Sequence, residues 1–541
     1  MSTPFLGCKN LHVQFYGRDE VTLNGVTLSI DEGETVLFLG PSGCGKSTLL
    51  HALAGIIPRS IDAFTKGDVW HPERVGTLFQ DPESQFCMLQ IGDEIAFSLE
   101  NRRIAPAEMP ARIERAKRSV HLDDYPNDTL LQSLSGGLKQ RLALACVLAL
   151  EPEVLFLDEP TAQLDPSATK QVLSCIRELK NEHTIVLIEH KLDGVMDWVD
   201  RTVLFSPEGH MIDDGTPQAV LQRNEAKIKQ YGIWTPRLWP LKWEAVTSGQ
   251  HPEQVAAWRP LRQRKRTSEA VSETSLGTEQ QTRSPLVKVT DATLRYGKKR
   301  PPVWRDVNLT VARGDWVAIL GANGSGKSTF LKVLMGLLPL SSGNVSYRFP
   351  EPLKSKKTES LSQQIGFVFQ NPEHQFITDR VYDEIAYIGT VENWPARELH
   401  AKTEQLLDDF HLSTWQEVNP YTLSVGQKRR LSVASMLLKQ YPLLLLDEPT
   451  FGQDAATTAE LLVRLQQLHA QGTTIAMATH DVELAYRYAT RAVVFGRGKL
   501  LFDGTPDDLF HDRQLLTEAK LDEPMYVQYL RRRAQVRVGV I

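Results

Sequence analysis

The chain has 541 residues, 41% of them hydrophobic and 23% charged, with a net charge of −5. Those proportions fit a soluble globular protein of several domains and give no overall signal for nucleic acid or an anionic membrane. No apolar run nears the ~18 residues of a membrane span, the start MSTPFLGCKN has no secretory apolar stretch, and Cys8, Cys44, Cys87, Cys146 and Cys175 lack metal-ligand spacing. A reducing cytosol is therefore expected, and any role at a membrane would come through a partner.

In chain order, TVLFLG at 35–40 reads as a buried strand feeding the glycine-rich loop GPSGCGKST, and STLLHALAG reads as a helix opening on that loop. Gly40, Gly43 and Gly45, with Pro41, Ser42 and Cys44 among them, let the backbone turn its N–H groups around phosphate oxygens. Lys46 is placed to neutralise the β- and γ-phosphates, and Ser47, followed by Thr48, to offer a hydroxyl to Mg²⁺. LFQDPESQF around Gln80 and LSGGLKQR at 134–141 follow. VLFLD at 154–158 is a second buried strand; Asp158 at its end can hold Mg²⁺, and Glu159 is the candidate general base. TIVLIEH is a strand ending in His190, placed to sense the γ-phosphate and orient the attacking water. DDGTP at 213–217 marks a turn near the end of this half.

Between the halves, Trp234, Trp239, Trp243 and Trp258 crowd into 25 residues, and the expectation is a small cap packed on the end of the first half. Residues 248–285, with the basic run Arg262–Arg266, hold too little apolar surface to offset their ordering entropy and read as a flexible linker.

The chain then repeats itself. WVAILG at 316–321 leads into GANGSGKST, whose residues are Gly321, Ala322, Asn323, Gly324, Ser325, Gly326, Lys327, Ser328 and Thr329. VFQNPEHQF around Gln370, LSVGQKRR at 423–430, LLLLD at 443–447 with Asp447 and Glu448, TTIAMATH ending at His480 and FDGTP at 502–506 keep the same order. The offset between copies grows from 281 residues at the phosphate loop to 290 at the glutamine, so about nine extra residues lie between those motifs in the second copy. Two loops at matched positions remove a chance glycine-rich turn as an explanation. The domain expectation is a first nucleotide-handling domain at 1–230, cap and linker at 231–285, a second domain at 286–520 and a basic, solvated tail at 521–541.

LSGGLKQR and LSVGQKRR carry the family resemblance. Over nearly all of both halves the chain resembles the nucleotide-binding subunits of ABC transporters. The resemblance implies an α/β fold of two tandem P-loop NTPase (ABC ATPase) domains, each with a mainly parallel sheet, an antiparallel β portion and a helical signature subdomain. It also implies ATP and Mg²⁺ as cofactors and pairing of the two halves. One composite site would combine Lys46, Gln80, Asp158, Glu159 and His190 with Ser424 and Gly426. The other would combine Lys327, Gln370, Asp447, Glu448 and His480 with Ser135, Gly136 and Gly137. In that family Ser47, Gln80 and Asp158, like Ser328, Gln370 and Asp447, serve the metal. Asp165 and Asp454 resemble residues that communicate across the seam, and Tyr16 and Tyr296 resemble the aromatic that stacks on adenine. Two departures stand out: Val425 replaces the first signature glycine in half two, and Leu138 replaces the usual glutamine in half one.

FQDPESQF and FQNPEHQF, followed by GDEIAF and YDEIAY, resemble the ATPases of energy-coupling-factor importers of vitamins and metal ions, and Gln85 and Gln375 fit that pattern. The implied partners are a transmembrane subunit and a small substrate-binding membrane protein. The implied place is the cytoplasmic face of the membrane, peripherally bound, with no nucleic acid. Two alternatives stay open: a ribosome-associated tandem ABC translation factor, which would carry a long charged helical segment between halves, and a fused ATPase of a sugar importer. The sequence does not name a cargo.

Overall fold

The computed structural model describes residues 5–16, 21–162, 164–261, 284–297, 300–351 and 358–538. It divides into two compact units, one of residues 1–240 with Asp454–Ala456, the other of residues 241–453 and 457–541.

The first unit contains β1 (Leu6–Phe15), β2 (Leu23–Ile30), β3 (Thr35–Leu39), β4 (Ala63–Trp70), β5 (Val75–Leu78), β6 (Val154–Asp158), β7 (Thr184–Ile188), β8 (Arg201–Phe205) and β9 (Met211–Gly215). The strands β5-β6-β7-β3-β8-β9 form one sheet, parallel except for β9, and β2-β1-β4 form a separate antiparallel sheet. β3, β6 and β7 are apolar throughout except at their ends and buried on both faces, as a parallel strand covered on both sides must be. Alternate residues serve opposite faces. Val36, Phe38, Val154 and Phe156 join Leu49, Leu50 and the β1–β2 side chains in one apolar cluster. Leu37, Leu39, Leu155 and Leu157 join the helices Ile91–Asn101, Gly136–Leu148 and Pro166–Leu179 in another.

The second unit repeats this plan with β10 (Pro285–Leu294), β11 (Trp304–Ala312), β12 (Trp316–Leu320), β13 (Ser342–Tyr347), β14 (Ile365–Val368), β15 (Leu443–Asp447), β16 (Thr474–Ala478), β17 (Arg491–Gly496) and β18 (Lys499–Gly504). Its sheets run β14-β15-β16-β12-β17-β18 and β11-β10-β13. The expected α/β class and the mixed sheet architecture are both present. The second copy's extra residues fall at 348–364, between β13 and β14, where the first unit needs only 71–74 between β4 and β5. DDGTP and FDGTP are more than turns: each ends an antiparallel edge strand and starts a helix with proline at its first position.

The segment between the halves departs from expectation. Trp239 packs against the first unit's apolar cluster. Trp243 and Trp258, 5.9 Å apart between ring centroids, belong instead to the second unit, on helices Trp243–Thr247 and Pro252–Trp258 that pack on the C-terminal helix Met525–Val538. The four tryptophans therefore do not form one cap on the first half. Residues 252–258 are helical where a flexible linker was expected; the basic run Arg262–Arg266 lies outside the described residues. The basic tail is likewise not simply solvated. Met525, Tyr526, Val527 and Tyr529 are buried, Arg531 pairs with Glu523 at 2.6 Å, and Arg532 lies over the Trp243 ring. Its composition hid this because Arg532 finds an aromatic partner, Trp243, distant in sequence.

Candidate functional site

The order of the central strands brings the motifs together. β6, β7 and β3 are neighbours and parallel, so the phosphate loop after β3, the acidic pair after β6 and His190 after β7 open on one edge of the sheet. β15, β16 and β12 do the same for the second set. This carboxyl edge is where open α/β sheets place their ligands.

Each phosphate loop needs glycine for backbone reasons. Gly45 and Gly326 have φ of 92° and 97° and begin the following helices, Lys46–Leu53 and Lys327–Leu334, with no side-chain cap. The first N–H groups of those helices are left to a ligand, and no acidic residue occupies either first turn. At Gly43 and Gly324 an added Cβ would meet nothing within 4 Å, so the loop encloses open space rather than protein. The buried Lys46 ammonium donates to the carbonyls of Gly40 and Pro41 at 2.8 Å each; Lys327 donates to Gly321 at 2.8 Å and Ala322 at 3.2 Å. A buried cation beside a helix N-terminus with no side-chain cap suits polyphosphate.

Behind each loop lies a buried carboxylate pair. Burial, with the neighbouring Glu159 charge, pushes Asp158 up to about 6, against a hydrogen bond from Ser47. Asp447 is also pushed up to about 6 by burial, with the Ser328 hydroxyl donating to it at 3.0 Å. An acid made costly by burial and backed by a hydroxyl is an oxygen donor set suited to a hard divalent cation. No group of three His, Cys, Asp or Glu side chains forms a protein-only metal cage among the described residues. The set fits a metal such as Mg²⁺, which Ser47 with Asp158 and Ser328 with Asp447 would hold through oxygen.

Glu159 and Glu448 are set differently. Both adopt left-handed backbone, φ 48° and 50°, uncommon for a non-glycine residue. Their N–H groups bond Ile188 and Ala478 carbonyls at 2.9 and 3.0 Å, holding the turn. Burial would raise the Glu159 carboxyl, but His190 at 3.1 Å, Lys46 and Gln80 more than offset it and hold it below its usual range. Glu448 is likewise held low against burial by His480 at 2.9 Å and by Lys327. An ionised carboxylate beside an imidazole can accept a proton from water. The units differ in detail: Gln80 Nε2 donates to Glu159 at 2.8 Å, whereas Gln370 is exposed with no side-chain hydrogen bond among the described residues.

The other predicted residues are placed less centrally. Ser135 and Ser424 are exposed and cap the signature helices Gly136–Leu148 and Val425–Leu437, which hold Gly136, Gly137 and Gly426 in their first turns. The Val425 side chain lies outside the described residues. The Tyr296 hydroxyl reaches Thr329 at 3.0 Å, on the phosphate-loop helix; Tyr16 is exposed, its ring 4.2 Å from that of Phe64. Three features escaped the sequence. Glu189 is buried and accepts from Thr161 at 2.6 Å and from the His190 N–H at 2.8 Å, fixing the histidine's backbone. The signature lysines Lys139 and Lys428 pair with Glu83 and Glu373 of the glutamine loops, 2.5 Å in both units. Glu94 and Glu384 are buried and each accept two backbone N–H groups, from Cys87 and Met88 and from Ile377 and Thr378. The repetition of both acids at equal spacing was the available signal. A cleft of about 570 Å³ at the amino ends of β6 and β7 is remote from this chemistry, and its Arg112 and Arg115 are already paired with Glu151.

Fold, paired phosphate loops and carboxylate–histidine pairs define a tandem P-loop nucleoside triphosphatase. Residues 23–162 and 304–451 match the ABC transporter family. The chain is 36% identical to "Putative HMP/thiamine import ATP-binding protein YkoD" of Bacillus subtilis, over 96% of both chains. It is 34% identical to an ABC transporter ATP-binding protein of Methanosarcina acetivorans, over 94% of this chain and 87% of that one. A solved structure of cbiO1 from Clostridium perfringens, described as part of the ABC transporter complex cbiONQ, aligns at 26% identity and TM-score 0.38, over 46% of this chain and 99% of that one. The protein belongs to the ABC transporter family as an ATP-binding, ATP-hydrolysing component.

Proposed function

We propose that this ATPase energises an importer of the energy-coupling-factor type, carrying a vitamin or a metal ion. Two glutamine loops of the form Gln-Asn/Asp-Pro-Glu-x-Gln-Phe carry the reading. Beside each loop stands a pair of exposed large side chains, Leu89 with Leu130 and Ile377 with Tyr421; Glu94 accepts from the backbone just before Leu89 and Glu384 from the Ile377 N–H. Such patches suit helices of a membrane partner. The name of the Bacillus relative, with its HMP/thiamine import, supports import and favours a thiamine-like cargo.

No helix among the described residues is long and apolar enough to cross a membrane, so the reading requires a separate transmembrane subunit, with a small substrate-binding membrane protein attached to it. The chain would be held peripherally at the cytoplasmic face. Each half supplies the phosphate loop, acidic pair and histidine of one ATP site. Lys46 and Lys327 neutralise phosphate, Ser47 and Asp158 and their counterparts Ser328 and Asp447 hold Mg²⁺ with Gln80 and Gln370, and Glu159 and Glu448 activate water oriented by His190 and His480. Bound Mg²⁺ supplies charge neutralisation at the transferring phosphoryl group.

The test is affinity purification of the tagged chain from detergent-solubilised native membranes, with mass spectrometry of what stays bound. One polytopic subunit with a small membrane protein is the expected result. Ribosomal proteins without a membrane partner would overturn the reading.

A further inference from the structure

The two units join their glutamine loops to their signature helices unequally. Both have the lysine–glutamate bridge, Lys139 to Glu83 and Lys428 to Glu373. Beyond it they diverge, and the largest difference is at one buried position. LSVGQKRR places Arg429 where LSGGLKQR has Gln140. Arg429 is 2% exposed, and its guanidinium donates to the Phe369 carbonyl at 2.6 Å and to the Gln370 carbonyl. Gln375 adds a second fastening, its Nε2 donating to the Ser432 carbonyl at 2.7 Å and the Ser435 hydroxyl at 2.8 Å. In the first unit, Gln140 and Gln85 are the equivalents, and the buried Nε2 atom of each has no partner among the described residues. Alanine and cysteine, Ala143 and Cys146, stand where the second unit has Ser432 and Ser435.

Burial lowers the Arg429 guanidinium to about 10, opposed by the charges of Asp447 and Glu448. A buried cation tolerates that cost when carbonyls and carboxylates surround it, and an arginine fork satisfies two carbonyls at once. A glutamine side chain is too short to reach both carbonyls.

We propose that Arg429 is a positioning residue for ATP hydrolysis, a latch that fixes the backbone of Gln370 to the signature helix of its own unit. The second unit's glutamine loop then follows that helix as one body, whereas the first unit's loop, with Gln140, is tied by the Lys139–Glu83 bridge without such a latch, and Gln80 rests on Glu159. The hydrolytic consequence rests on the reading above that Gln370 serves the nucleotide-bound metal.

The exchange of residues already present in the sister unit tests this on the full-length chain. Hydrogen exchange read by mass spectrometry compares segment 369–376 with segment 79–86 in wild type, Arg429→Gln, Arg429→Lys and Gln140→Arg. The expected result is slower exchange at 369–376 in wild type, and exchange there at least about tenfold faster in Arg429→Gln, the scale of losing charge-assisted hydrogen bonds. Arg429→Lys falls between, and Gln140→Arg slows 79–86, a gain that does not depend on Arg429→Gln folding well. Equal exchange of the two segments in wild type, or no change in either swap, overturns the latch. ATPase assays then ask whether it acts through Gln370. Arg429→Gln lowers kcat with KM for ATP little changed, and has no further effect on a Gln370→Ala background. Multiplying losses would make Arg429 merely structural and overturn the positioning role. A silent Gln370→Ala would remove the Gln370 reading and the hydrolytic role with it, while the exchange data would still report the latch.

Discussion

Glu159 and Glu448 could be named from sequence because each follows an aspartate at the end of an apolar strand. Their left-handed backbone could not, because it arises from the turn that leaves the sheet while the residue's N–H still bonds the adjacent strand. Nor could the pairing with His190 and His480, which lie more than thirty residues away in sequence and meet the glutamates only because β6 and β7, or β15 and β16, are neighbours. That pairing gives a prediction. His190→Ala combined with His480→Ala removes from both glutamates the hydrogen bond that helps offset their burial, so steady-state hydrolysis should fall by roughly a hundredfold, the low end of what a positioned base contributes. A phosphate-release assay showing undiminished turnover would remove both histidines from the mechanism.

Strands and phosphate-loop helices were legible almost to the residue: VLFLD and LLLLD are β6 and β15 without adjustment. Continuous burial on both faces leaves no polar residue to blur the boundary. Elements whose partners are distant in sequence were not legible, as the Trp243 and Trp258 helices show by packing on residues 525–538. Trp243→Ala removes the ring that Arg532 covers and should expose the C-terminal helix to limited proteolysis; unchanged cleavage would show that the helix is held elsewhere.

A departure noted in the sequence also finds its cost at this scale. Ser424 and Gln427 form a reciprocal cap, the serine Oγ accepting from the Gln427 N–H at 3.3 Å and the glutamine from the Ser424 N–H at 2.8 Å. Leu138 cannot return that bond, so Ser135 caps alone at 3.4 Å. Leu138→Gln should complete the capping box and stabilise the first unit by about 0.5–1 kcal/mol in urea unfolding. Glu94→Ala should act oppositely, costing about 1–3 kcal/mol by leaving two backbone N–H groups unpaired.

For the whole molecule, the repeat carried the strongest information. One phosphate loop states a nucleotide site; two, followed by four further motifs in the same order, state a pair of ATPase units on one chain. Composition said nothing of this, and it also concealed where the copies differ, since Gln140 and Arg429 are both ordinary polar letters until their burial is seen. Under the proposed importer function, a transmembrane subunit would attach at the exposed side-chain pairs by the glutamine loops.

Two glutamate-based ATP sites are central to this mechanism, and one measurement addresses them directly: ATP retained per chain, and phosphate released, by the double variant Glu159→Gln with Glu448→Gln in the presence of Mg²⁺. The predicted result is abolished turnover with two unhydrolysed ATP molecules held per chain. Hydrolysis at the wild-type rate would contradict the assignment of both bases and, with it, the proposed way this chain uses ATP.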